Sequence, residues 1–303
     1  DIMVGIQPMK GENFLASDQC GPAGSLPSAN AVIHGAASSG GCLTHRKSGE
    51  HLAPMRDGGL EAIYYQPTGI DPSRPPLVLV HGISRNAHAQ IQAFIPLADE
   101  LGIRLLAPVF PRAGHQNYQR PATRSATSDT ALLNLLKDIN RHSDADFSRV
   151  DMFGFSAGAQ FAHRFAFMQP QRIRKLLLAS SGWYTFPHVQ NAYPYGIGLS
   201  GVVDPRIDLD GFLELSIKVI VGQRDINRDP GLRIKGNVDR IQGWNRLARA
   251  ENWARSISEI MAAYGATGEV HFETLPGCGH SFDDCVTVGG LRRLATAWFN
   301  YDD

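Results

Sequence analysis

No run of the chain approaches the ~20 apolar residues of a membrane-spanning helix. No sign of charge prevails either: 29 Lys and Arg balance 29 Asp and Glu over 303 residues. A nucleic-acid binder needs a basic patch for its phosphate contacts, so that class is excluded. Cysteine is scarce, at four residues, with no C-x-x-C pair, and no structural zinc site is expected. The chain starts at Asp1, with no initiator Met and no signal-peptide apolar core, which suits a processed or trimmed form. Charged residues are only 19% against 43% hydrophobic, a composition that builds a core and excludes a disordered chain. The length would allow two domains of ~150 residues, but α/β folds often use ~250 as one.

The four cysteines fall in two pairs, Cys20 with Cys42 and Cys278 with Cys285. They suit two local disulfides in a secreted or periplasmic protein; free thiols in a cytoplasmic enzyme are the alternative. A Cys278–Cys285 bridge would bracket His280, and its value would be positional, because entropic stabilisation grows with loop length. Residues 1–58 are Gly-, Ser-, Ala- and Pro-rich (GPAGSLPSAN, GAASSGG) and read as an extension, loose or tied down by Cys20–Cys42.

From residue 59 the pattern becomes regular. Continuous apolar runs at 77–83, 104–110, 150–156, 173–181 and 216–223 read as strands buried on both faces, joined by strands at 61–67 and 269–276. Helical spacing appears at 87–101, 128–139, 157–168, 243–264 and 291–301, with Gly102 ending the first. Alternating strands and helices predict a parallel, three-layer α/β sheet, whose ligands sit beyond the carboxyl ends of the strands.

Three strand ends carry chemistry. Gly154-Phe155-Ser156-Ala157-Gly158 is a G-x-S-x-G between an apolar strand and a helix, a sharp turn that lifts the Ser oxygen above the sheet. Strand 216–223 runs into Arg224-Asp225, and strand 269–276 into Gly277-Cys278-Gly279-His280. A Ser hydroxyl needs a base and the base an orienting acid, and the order Ser…Asp…His fits nucleophile, acid and base. Asp229 is the rival acid, expected instead to pair with Arg224 or Arg228 or to cap a turn. Backbone N–H groups of Ala157 and Ile83 are the expected oxyanion donors, Ser84 being the alternative to Ile83, with Gly82 permitting close approach and His81 shaping the loop.

HGISRNA, FGFSAGAQFAHRFA, VGQRD and GCGHSF resemble an α/β-hydrolase over residues 59–303, and FGFSAGAQFAHRF is similar to polyhydroxybutyrate-depolymerase-like and prolyl-oligopeptidase-like enzymes. The resemblance implies acyl transfer to water on a small-molecule or polymeric ester, with Ser156 as nucleophile, His280 as base and Asp225 as its partner. It implies no cofactor. A peptidase, amidase or polyester depolymerase is the alternative on the same triad, and a non-catalytic binding protein of this fold the alternative from another class.

The long connection at about 183–215 opens with Trp183, Tyr184, Phe186, Tyr193 and Tyr195 and is expected to form a lid or wall of an apolar substrate pocket. A second wall is expected at 233–245, ending at Trp244. Arg224, Arg228, Arg233, Arg240 and Arg246 recur there, to hold a substrate carboxylate or to form a salt-bridged, solvated face.

Overall fold

A computed structural model describes residues 49–53, 60–122, 127–201 and 205–300. The extension up to residue 48, with Cys20 and Cys42, lies outside the described residues. Eight strands form one sheet: β1 (Gly49–Ala53), β2 (Glu61–Gln66), β3 (Leu77–Val80), β4 (Leu105–Val109), β5 (Val150–Phe155), β6 (Ile173–Ala179), β7 (Ser216–Gly222) and β8 (Glu269–Leu275). Their order is β1-β2-β4-β3-β5-β6-β7-β8. The first two pairings, β1 with β2 and β2 with β4, are antiparallel, and every later one is parallel. The sheet thus begins at Gly49, earlier than the expected boundary at 59. Nothing in Gly49–Ala53 alone marks a strand; its backbone register is set by β2, where position 52 pairs with position 63.

Helices cover both faces. They are α1 (Ala87–Leu101), α2 (Ser128–His142), α3 (Ala157–Met168), α4 (Leu209–Leu213), α5 (Gly236–Gln242), α6 (Arg246–Tyr264), α7 (Phe282–Thr287) and α8 (Leu291–Phe299). Side chains alternate across the strands with period two. In β3, Val78 and Val80 join the core under α2, α3, α4 and α6. Leu77 and Leu79 join the core under α1, α7 and α8. The middle strands must therefore be apolar at every position, which is why they read as unbroken runs.

The expected helix at 243–264 is one helix that starts three residues late, at Arg246. Gly243 takes φ 119° and ends α5, and Asn245 caps α6 by accepting the Ala248 N–H at 2.9 Å. The expected strand at 77–83 stops at Val80, because His81–Ile83 turn away to form a loop over the sheet.

Candidate active site

Ser156 sits between β5 and α3 with φ 55° and ψ −113°, a strained conformation for a residue with a Cβ. The turn closes only because its neighbours lack side chains. A Cβ on Gly154 would lie 2.5 Å from the Gly158 backbone, and one on Gly158 would lie 1.9 Å from the Val80 carbonyl oxygen. Gly82 is different: a Cβ there would meet Phe155 and Ser156 at ordinary contact, 3.6–3.7 Å, so the close approach expected of it is not required.

Ser156, His280 and Asp225 form one hydrogen-bonded chain. Ser156 Oγ lies 3.0 Å from His280 Nε2, and His280 Nδ1 lies 2.8 Å from Asp225 Oδ2. A carboxylate only accepts, so Nδ1 carries the proton and Nε2 accepts from the Ser hydroxyl. Phe155 stacks on the imidazole with ring centroids 5.5 Å apart. Asp225 is buried, and its second oxygen takes a 3.3 Å contact from Arg246, itself buried. Arg246 also grips Asp229 with both terminal nitrogens, at 2.5 and 3.0 Å. Hydrogen bonding from Arg246 holds the Asp229 carboxyl down at about 2. Asp229 is therefore bound to Arg246, rather than to the expected Arg224 or Arg228, because α6 brings the Arg246 guanidinium under both acids. It does not reach His280. In the sequence Arg246 is one arginine of a run; what marks it out is its place directly after the Asn245 cap, where α6 starts beside the acid loop.

The loop after β3 is fixed by His81, which is fully buried. The Phe110 N–H donates to His81 Nε2 at 3.0 Å, so the ring is protonated on Nδ1, which donates to the Gly82 carbonyl at 2.8 Å. Burial pushes the imidazole down to about 4, keeping it neutral. The Arg85 N–H also donates to the Gly82 carbonyl, at 3.0 Å. A peptide is planar and trans, so fixing this carbonyl aims the Ile83 N–H the opposite way. Ala157 opens α3, where an N–H has no partner within its own helix. Ile83, Ala157 and Ser156 line one hollow together.

Among the described residues two hollows flank Ser156, sharing Ser156 and Ile83. One, of about 290 Å³, is walled by Gly82, Phe155, Phe282 and His280. The other, of about 200 Å³, is walled by Trp183, Leu232, Gln160, Arg120 and Arg233.

The expected substrate aromatics separate. Trp183 reaches the second hollow. Tyr184 does not: it is buried in the core, stacked on Trp253 at 4.9 Å between centroids. Trp244 is exposed and sits under Arg228, away from both hollows. The connection after β6 is a packed wall rather than a lid. Thr185 anchors it completely: its N–H donates to His163 Nε2, its carbonyl accepts from Trp253 Nε1, and its hydroxyl donates to the Pro194 carbonyl and accepts from Arg164. Gln242 clamps Tyr184 through both its N–H and its carbonyl, each at 2.8 Å. The arginine run divides as well. Arg228 pairs with Asp239 and Arg246 with Asp225 and Asp229, while among the described residues Arg233 lines the second hollow.

Cys278 and Cys285 are free thiols, not the expected disulfide. Cys278 Sγ points at the Pro276 and Asp284 carbonyls, at 3.3 and 3.4 Å, and Cys285 toward that of Gly279. Burial pushes the Cys285 thiol up to about 12, which disfavours its thiolate at neutral pH. Among the described residues no group of His, Cys, Asp and Glu is placed to hold a metal, and no helix is long and apolar enough to cross a membrane.

Against solved structures, a poly(3-hydroxybutyrate) depolymerase from Bordetella parapertussis superposes with a TM-score of 0.67 at 26% identity, over 85% of this chain and 92% of that one. A poly(aspartic acid) hydrolase from Sphingomonas sp. KT-1 gives the same TM-score at 25% identity, over 82% and 97%. The chain belongs to the α/β-hydrolase superfamily. An S-formylglutathione hydrolase from Agrobacterium tumefaciens shares the fold of this α/β-hydrolase at 15% identity and a TM-score of 0.57. No family model matches the chain. Uncharacterised proteins of Mycobacterium bovis and Mycobacterium tuberculosis are 30% identical over 157 residues, 47% of this chain and 41% of theirs. The match thus spans less than half the length of these curated relatives.

Proposed function

We propose that this α/β-hydrolase cleaves a carboxylic ester through an acyl-enzyme. The hydrogen-bonded chain from Ser156 through His280 to Asp225 carries the reading. In it, Ser156 Oγ attacks the carbonyl carbon as its proton passes to His280 Nε2, and Asp225 stabilises the imidazolium that forms. The carbonyl oxygen becomes an oxyanion facing the N–H groups of Ala157 and Ile83, whose directions are set before substrate arrives. The tetrahedral intermediate collapses as His280 returns the proton to the departing alcohol. Water then repeats the sequence on the acyl-enzyme and frees the acid and Ser156.

The same residues would cleave an amide, and one comparison favours holding that reading second: the Sphingomonas protein is a hydrolase of poly(aspartic acid), an amide-linked chain. The Bordetella protein, a depolymerase of a polyester, supports the ester.

Initial rates on p-nitrophenyl esters of two to eight acyl carbons test the proposal, with wild type and Ser156→Ala side by side. Wild type should turn over at least one ester, and the variant should be slower by about 10⁴-fold or more. Equal rates in the two proteins would sink the assignment of Ser156; an inert wild type would remove the ester and move amides forward.

A further inference from the structure

The smaller hollow beside Ser156 is cationic. Arg120 and Arg233 line it, and among the described residues no acid does. Arg164 stands behind it, fully buried, with its guanidinium 4.0 Å from the centroid of the Trp183 ring. The Arg233 guanidinium lies 5.0 Å from the same ring. Arg233 donates to the Tyr195 hydroxyl and, among the described residues, makes no ion pair. Arg164 spends Nε and Nη1 on Thr185, Gln119 and Gln160, while its buried Nη2 has no partner. The nearby acid, Asp229, is already held by Arg246. Burial, then repulsion from Arg233, lowers the Arg120 guanidinium, and burial brings Arg164 down to about 9. Crowded, partly desolvated cations such as Arg233 and Arg164 are costly unless an anion joins them.

The chemistry tells which part of a substrate enters. The leaving group must receive its proton from His280, and His280 lines the other hollow. The leaving group therefore exits on the Phe155 and Phe282 side. The acyl group points the opposite way, past Ala157 toward Trp183 and the arginines. Guanidinium forks match carboxylates in charge and in planar shape.

We infer that the hollow lined by Arg120, Arg233 and Trp183 is an acyl subsite for a carboxylate, so that the preferred substrates carry a second carboxylate on the acyl side of the scissile bond. A single small dicarboxylic acyl group and a repeating carboxylate along a polymer share this chemistry. The inference deepens the proposed acyl transfer and rests on it.

Two p-nitrophenyl esters separate it from that reading: the butyrate and the hemisuccinate have four acyl carbons and one leaving group in common and differ in the terminal charge. In low salt, wild type should favour the hemisuccinate in kcat/KM by about tenfold or more, mainly through KM, and added salt should shrink the ratio. Arg233→Gln and Arg120→Gln should each reduce the ratio by about tenfold. Arg255→Gln, an exposed charge control on α6, should leave it unchanged. Ser156-dependent hydrolysis of butyrate with no preference for hemisuccinate overturns the subsite and leaves the hydrolase standing. If neither ester is cleaved, the ester reading falls, and calorimetry with succinate on Ser156→Ala still decides the subsite. Saturable binding that is lost on adding Arg233→Gln upholds it, and no binding refutes it. The polymer source is read by release of acid from poly(aspartic acid), compared with the hemisuccinate rate in the same variants.

Discussion

The two hollows beside Ser156 are built to opposite rules. On the His280 side the wall is Phe155, Phe282 and the Gly82 backbone, with one acid, Asp283, at the rim. On the Trp183 side it is two arginines and two glutamines around an indole. They share the Ser156 hydroxyl and the Ile83 peptide, so the reacting bond would lie on a boundary between an apolar environment and a cationic one. Reactivity and selectivity are thereby separated. Ser156, which would make and break bonds, belongs to both sides, whereas the groups that would judge charge belong to one.

The comparison can be tested at the shared elements first. Asp225→Asn should lower kcat by about 10⁴-fold for neutral and anionic acyl groups alike, since an amide orients the imidazole wrongly. A loss confined to one substrate class would break the claim that the two sides share one triad. Arg246→Met leaves the buried Asp225 and the partly buried Asp229 without their cation, and should cost about 3 kcal/mol in urea unfolding. An unchanged midpoint would mean that the two acids do not depend on it.

The loop that both hollows share should respond to pH through His81. Its folded value of about 4 lies below the ordinary 6.5, so between these pH values the unfolded chain binds a proton that the folded one does not. Stability is therefore full above pH 6.5 and lost as pH falls toward 4, by up to about 3 kcal/mol from this group. The difference in unfolding free energy between wild type and His81→Gln should narrow across that window; a constant difference would exclude His81 as the source. The smallest effect is expected at Gly82→Ala. The new methyl meets only ordinary contacts, so stability should move by less than about 1 kcal/mol. The methyl faces the apolar hollow alone, so bulky leaving groups should slow while the hemisuccinate-to-butyrate ratio holds.

The parts legible in the sequence are those that local rules decide. Ala87–Leu101 and Ala157–Met168 fall on the expected bounds, because an apolar strand, a small-residue turn and a periodic helix follow one another without a break. Ser156, Asp225 and His280 are legible through residue type, place and chain order together: each stands where an apolar run ends, and a parallel sheet gathers those ends. What local rules do not decide is the direction of a side chain in a long connection. Trp183 and Tyr184 are adjacent, yet one lines a hollow and the other packs on Trp253, because Gln242, brought in by α5, fixes the peptide between Tyr184 and its neighbours. Arg120 lies in a stretch with no periodicity, and only the fold brings it across from Arg233. Gly49–Ala53 became an edge strand through a partner that its own five residues do not announce.

A missing methyl at position 158 has a mechanical consequence. Helix α3 rests directly on the carbonyls of Val80 and His81, with no room for even one more carbon. The first N–H of that helix and the Ile83 N–H are thus two jaws seated on one block, and the gap between them is a machined dimension rather than an adjustable one. Their spacing is set before any substrate arrives, so control of the proposed reaction would act on what reaches the jaws.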